Sequence, residues 1–404
     1  MELSKRILGM QASPIRRLVP YAEEAKRKGR SIYYLNIGQP DIKTPSGFFE
    51  AVRAYSRDVL AYGPSDGDPS LIEAIIRYYK GYGMELQREN VLITYGASEA
   101  ISHTLMAVCD PGDEVLIPEP FYANYKTFVQ SVNAVVVPIT TKAEQGFHLP
   151  GREEIEQKIT PRTRAIILCH PGNPTGTVFT RAEMEMVADL AKKHGFFILA
   201  DEVYREFVYD GLEYVSFGNL EGVDEHVVIM DAVSKRYSAC GARVGCLVSR
   251  NTELVAQVLK LCQARTCVGA MDMAGAAALY DTPVSYLKEV NDEYTTRRNT
   301  VYRALKRIPG VVCEEPKGAF YVVAKLPVDD AEKFIVWMLT SFDVGGETVM
   351  MSPAEGFYAT PGLGRDEVRI AYVLKNEELA KAMDILKAGL EAYPGRISPV
   401  AAEV

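Results

Sequence analysis

Between Val91 and Arg250 the chain alternates short apolar runs with longer amphipathic stretches. Val91–Tyr95, Glu114–Ile117, Ala134–Pro138, Ala165–Cys169, Phe196–Ala200 and Val227–Asp231 predict strands, and several are apolar on both faces, as buried parallel strands are. Ser98–Val108, Phe121–Ser131 and Arg181–His194 lie between them and predict helices. This alternation predicts an α/β fold with a mostly parallel sheet sandwiched by helices. In such a sheet ligands bind outside the carboxyl ends of the strands, so chemical residues are expected just after strand ends. A long helix is expected over Val284–Ile308. Beyond it Gly318–Ala324, Ala331–Ser341, Glu347–Met351, Glu367–Val373 and Glu377–Ala392 alternate again, as in a small α+β domain. Gly38-Gln39-Pro40 and Lys43-Thr44-Pro45 break the chain near its start. The expected division is a large domain over 46–300 and a small one from 1–45 with 301–404.

Composition narrows the function. The chain has 404 residues, 48% hydrophobic and 24% charged, an ordinary globular balance for two domains. Its net charge of −8 argues against a nucleic-acid binder. No segment approaches the roughly 18 apolar residues of a membrane span, and the charged first 30 residues predict neither signal peptide nor anchor. Seven cysteines without a C-x-x-C spacing predict reduced thiols in a cytoplasmic protein. Five scattered histidines without H-E-x-x-H predict no metal site. There is no repeat, no Walker A sequence and no G-x-G-x-x-G.

Several residues after strand ends carry chemistry. Asp201 follows Phe196–Ala200; taken alone it reads as a turn or cap residue. Asn173, in His-Pro-Gly-Asn-Pro-Thr-Gly, alone reads as a turn. Lys235 lies four residues after Val227–Asp231, in a small, glycine-containing run that ends at Arg243. A cation among small residues suits an anion that needs close backbone approach. Tyr95-Gly96-Ala97-Ser98 follows a strand and opens a helix, a natural phosphate cradle. Together these supply what pyridoxal phosphate (PLP) needs: a Schiff-base lysine, an acid for the pyridine nitrogen, a phosphate cradle with an arginine, and donors to the ring hydroxyl.

The strings Asn173-Pro174-Thr175-Gly176, Asp201-Glu202-Val203-Tyr204, Ser234-Lys235 and Arg243-Val244-Gly245 resemble the signature of class I aminotransferases, the aspartate aminotransferase family of fold type I. Separations of 28, 34 and 8 residues between Asn173, Asp201, Lys235 and Arg243 match it. The resemblance runs from Asn36-Ile37-Gly38-Gln39-Pro40 to Arg369-Ile370-Ala371. It implies a seven-stranded sheet, PLP as cofactor, and amino-acid and 2-oxo-acid substrates. Lys235 is implied to hold the cofactor and move the substrate proton, and Asp201 to pair with the pyridinium. Asn173 and Tyr204 are implied at the ring hydroxyl and Tyr122 stacked on the ring. Gly96, Ala97, Ser98, Ser234 and Arg243 are implied around the phosphate. Arg369, helped by Gly38 and Asn173, is implied at the substrate α-carboxylate. Tyr62 resembles a tyrosine that crosses a dimer interface, which implies a homodimer with shared active sites. Arg265, ten residues before Gly275, resembles a partner-subunit arginine for a distal carboxylate; Lys126 and Lys43 are rival cations. Two departures are Ala232, where many relatives carry Ser, and Tyr122, where many carry Trp.

Aspartate with 2-oxoglutarate is the expected pair. The alternatives are an aminotransferase for aromatic or other amino acids and a PLP lyase for sulfur amino acids. A PLP-sensing regulator is disfavoured because the family-like region begins near residue 30. A dead scaffold is disfavoured because Lys235, Asp201 and Arg369 are all present.

Overall fold

In the computed structural model, residues 1–11, 14 and 16–397 are described. After β1 (Ser31–Tyr34), seven strands form one sheet: β2 (Val91–Thr94), β3 (Glu114–Glu119), β4 (Val135–Thr140), β5 (Thr163–Cys169), β6 (Phe197–Asp201), β7 (Val227–Ala232) and β8 (Gly245–Val248). Their order is β2-β8-β7-β6-β5-β3-β4. Every pairing is parallel except those of β8, which runs antiparallel to β2 and to β7. β8 adds a strand to the six that periodicity predicts. Its four residues follow a small-residue run and are too few to stand apart from a loop.

Alternate side chains of this sheet enter different cores. Ile93, Leu116, Ile166, Leu168, Ile198, Ile229 and Cys246 face one cluster, which Pro69–Lys80, Arg181–His194 and Ala270–Leu279 cover. Leu92, Val115, Ile117, Ile167, Leu199, Met230 and Leu247 face the other, under Gly96–Val108, Asn124–Ser131 and Thr252–Arg265. Period 2 with both faces apolar is the reason these strands read as continuous hydrophobic runs. The helix Arg181–His194 has the predicted bounds: Thr180 and Glu183 form a capping box, and Gly195 ends it in the left-handed region. The helix expected over Phe121–Ser131 begins at Asn124. Pro118 and Pro120 hold the preceding chain extended and supply no backbone N–H.

A third core lies beside this sandwich. β9 (Tyr321–Lys325) is the edge of an antiparallel sheet with β11 (Ser352–Pro353) and β12 (Glu367–Ala371), while β10 (Glu347–Met350) pairs in parallel with β1. Helices Val284–Lys306, Ala331–Thr340 and Asn376–Ala392 pack here, and Leu18, Ala22 and Leu35 enter the same cluster. The start of the chain is thereby fixed to its end.

The sheet brings Gly96 and Gly245 into close approach. A Cβ on Gly245 would lie 2.7 Å from Gly96 Cα and 2.6 Å from the Asp231 carbonyl oxygen, both backbone atoms that cannot swing away. We expect Gly245→Ala to lower stability by about 1–3 kcal/mol, the range for overpacking, read from urea unfolding of the purified protein. An unchanged midpoint would show that the two strands can part at no cost.

Candidate active site

The sheet delivers its chemical residues to one rim. Gly96 opens the helix that follows β2, Tyr122 follows β3, and Asn173 follows β5. Asp201 is the last residue of β6, and Ser234 and Lys235 sit on the short helix Val233–Arg236 after β7. Arg243 precedes a strand instead of following one. Because β8 is antiparallel, its amino end lies at the same rim, and Gly245 pairs with both Thr94 and Ala232. The placement rule for parallel strands thus holds for Arg243 with its direction reversed.

These residues line one cavity of about 830 Å³. Gly38, Ala97, Ser98, Tyr122, Asn173, Asp201, Tyr204, Ser234, Lys235, Arg243 and Arg369 all face it. Gly96 lies immediately behind, where a Cβ would meet Arg243 Nη2 at 2.6 Å. Gly96 has φ +73°, natural for glycine, and Arg243 itself has φ +55°, a conformation few side-chain-bearing residues adopt. Both bring a guanidinium against a helix N-terminus, where backbone N–H groups point outward.

Electrostatics separate the charged groups. Lys235 Nζ donates to the Gly38 carbonyl oxygen at 2.9 Å and lies 4.0 Å from Cys240 Sγ. Burial holds its ammonium below the usual lysine range. Burial also pushes the Asp201 carboxyl up to about 6, against the Tyr125 hydroxyl that donates to it at 2.6 Å. Arg369 is 2% exposed. It donates to Asn173 Oδ1 at 3.1 Å and to the Asn36 carbonyl oxygen at 2.7 Å, and its Nε has no partner among the described residues. Tyr204 Oη lies 2.9 Å from Tyr321 Oη and accepts from Asn173 Nδ2 at 3.3 Å.

Two expected residues lie outside this wall. Tyr62 is 86% exposed, within a stretch that also exposes Val59 and Leu60. Arg265 pairs with Glu99 at 3.4 Å and donates to the Ile93 carbonyl oxygen at 2.9 Å. Neither Lys126 nor Lys43 lines the cavity. Conversely, Tyr321, Cys240 and Arg16 line it without having been singled out by the sequence. Tyr321 is distant in the chain, and its hydroxyl occupies the place a Cβ on Gly38 would need, 1.8 Å away. Tyr125 could have been found one helical turn beyond Tyr122; Arg16 carries no local signal.

The residues present fit PLP. Asp201 is a buried carboxylate with no cation in direct contact, as a pyridinium requires. Gly96 lets the Arg243 guanidinium sit against a helix N-terminus, a setting that suits a phosphate. Arg369 is a buried cation with no carboxylate partner among the described residues. No metal-holding cluster occurs among the described residues.

Comparison with known proteins agrees with this geometry. A family description for aminotransferase class I and II matches residues 31–386. The aspartate aminotransferase of Pyrococcus horikoshii is 32% identical, over 96% of this chain and 97% of its own. Aromatic-amino-acid aminotransferase 2 of Thermococcus litoralis is also 32% identical, over 97% and 99%. The structure of Thermus thermophilus aspartate aminotransferase with maleate superposes with a TM-score of 0.86 at 28% identity, over 96% of this chain and all of the other. A match that spans nearly the whole chain, on a fold that collects a lysine, an aspartate and two arginines around one cavity, places this protein in the class I and II aminotransferase family, as a PLP-dependent transaminase.

Proposed function

We propose that the enzyme transfers the amino group of L-aspartate to 2-oxoglutarate, giving oxaloacetate and L-glutamate in two half-reactions at one cavity. Bound PLP supplies an electrophilic carbon that carries the amino group and an electron sink for the pair left when Cα loses its proton. The observation that carries the reading is Arg369. Its buried guanidinium lacks an anion, and a substrate α-carboxylate satisfies it as a bidentate fork. The names of relatives such as the Pyrococcus horikoshii enzyme support aspartate.

The chain's own residues then have distinct tasks. Burial favours the neutral form of Lys235 Nζ, the form that takes the proton from substrate Cα and returns it. Asp201 would hold the pyridinium, and Asn173 and Tyr204 the ring hydroxyl. Tyr122 would stack on the ring; Gly96, Ala97, Ser98, Ser234 and Arg243 would hold the phosphate. Asn173 also steadies Arg369. We further propose a two-domain division at 46–300 against 1–45 with 301–404, and a cytoplasmic homodimer. Tyr62 is exposed as a residue reaching a second copy's phosphate site would be. Arg265 could serve a second copy's distal carboxylate only by giving up Glu99.

The first test mixes holoenzyme with single amino acids and follows the cofactor's absorbance. Fast conversion by aspartate and glutamate is expected; preference for phenylalanine would favour an aromatic enzyme like the Thermococcus litoralis relative. Arg369→Ala should keep the cofactor spectrum and lose about 100- to 1,000-fold in kcat/KM, because a bidentate charged pair is removed.

Asp201 makes a second prediction, through linkage. Its carboxyl titrates at about 6 in the folded apoprotein against an ordinary 3.8. Between those values the folded chain holds a proton that the unfolded chain has released, so stability falls as pH rises through that window. Above it the ionised carboxylate costs the apo fold about 3 kcal/mol, which a bound cation offsets. Asp201→Asn should therefore make the apoprotein more stable at pH 8, flatten its urea midpoint between pH 4 and 6, and weaken PLP binding.

A further inference from the structure

We propose that Arg16, and not Arg265, recognises the side-chain carboxylate of dicarboxylic substrates. The inference rests on the dicarboxylate reading above. Four cationic side chains line the cavity among the described residues: Arg16, Lys235, Arg243 and Arg369. Lys235 is held by Gly38, Arg243 by the carbonyl oxygens of Cys240 and Tyr95, and Arg369 by Asn173 and Asn36. Arg16 makes no ion pair or side-chain hydrogen bond among the described residues, and it is exposed.

Its direction is set by its neighbours. Arg16 begins a 3-10 turn, Arg16–Leu18, that leads into the helix Val19–Arg27. Arg17 is tied to Glu332, and Leu18 is buried in the core that β9 and β12 also enter. With those two anchored, Arg16 is left to the cavity, whose wall continues through Val19 and Pro20.

Charge counting gives Arg16 a task. Arg369, Arg243 and Arg16 line the same cavity as Tyr122. A dicarboxylic amino acid with PLP brings three anionic sites: the phosphate, the α-carboxylate and the side-chain carboxylate. Arg243 stands at the phosphate cradle and Arg369 fits the α-carboxylate. The third anion then meets Arg16. Using Arg265 would instead uncover Glu99, whose side chain is 15% exposed, and leave a partly buried carboxylate without its cation. Arg16 breaks no pair on binding. Its flexible stem also lets it turn to solvent when a monocarboxylic amino acid enters.

The test compares wild type with Arg16→Gln, Arg16→Lys and Arg265→Gln, all as holoenzyme. For each, kcat/KM for aspartate is divided by that for alanine, and the dissociation constant of maleate, an unreactive dicarboxylate, is measured from the cofactor spectrum. Loss of a charge-assisted contact predicts that Arg16→Gln lowers the ratio and weakens maleate by about 10- to 100-fold, with Arg16→Lys between it and wild type. An unchanged cofactor spectrum and Tm would exclude misfolding as the cause. A wild-type ratio and wild-type maleate binding in Arg16→Gln would overturn the role of Arg16 and leave the dicarboxylate reading standing. The same losses in Arg265→Gln alone would assign the task to Arg265. If wild type itself shows no preference for aspartate or glutamate over alanine, the dicarboxylate reading falls, and the role of Arg16 with it.

Discussion

Lys235, Asp201 and Arg369 are enclosed in one cavity, and none of them neutralises another. Removing a charge from water is costly, so groups of this kind normally pair or lose their charge. Here Lys235 and Asp201 are both shifted toward their neutral forms, and Arg369 meets an amide and a carbonyl oxygen, with no countercharge among the described residues. The fold stores unmet electrostatic demand at one place, and a cofactor and substrate of matching charge relieve it. Most of the structure can be understood as the means of holding these groups apart.

The frame beneath the rim does much of that holding. Glu202 and Arg236 are the chain neighbours of Asp201 and Lys235, and both point away from the cavity. Glu202 pairs with Arg205 and accepts from Ser216 and the Phe217 backbone. Arg236 pairs with Asp231, which also accepts from Tyr79 at 3.0 Å. The remaining faces of the two arginines meet rings: Arg205 lies 4.5 Å from the Tyr79 centroid, and Arg236 4.4 Å from that of Tyr78. Cation–π contact suits a guanidinium whose Nε and Nη1 find no oxygen among the described residues. Chain neighbours thus put the functional charge on one side and an ion-paired charge on the other.

The sides of the cavity come from different parts of the chain. Gly38 and Asn36, following β1, meet Lys235 and Arg369, while β9 contributes Tyr321, whose hydroxyl joins Tyr204. The core that fixes Leu18 and Leu35 to the C-terminal strands therefore also positions the substrate end of the site. Any movement of that core relative to the seven-stranded sheet changes the spacing between Arg369 and Lys235.

Much of this was legible in the residues. Six of the seven strands follow from apolar runs with turn signals between them, because burial on both faces leaves a continuous hydrophobic trace. Asp201, Asn173, Lys235 and the Gly96 cradle follow from their positions at strand ends and from the spacing of the family strings. Arg243, the arginine expected at the phosphate, is visible in the sequence, but its location at the same rim depends on β8 being antiparallel, a long-range pairing that four residues do not encode locally. Tyr321 and Arg16 could be recognised only in three dimensions. Each is an ordinary residue in its own segment, and its meaning comes from what the packing brings opposite it. For Arg265, spacing suggests a role in a second copy's site, and only the tertiary structure shows its contacts within its own chain, Glu99 and the Ile93 carbonyl oxygen. Sequence determined the cofactor chemistry because that chemistry depends on residue types at fixed positions along strands. Which cations stay unpaired was left to the tertiary structure, because pairing depends on distances between segments far apart in the chain.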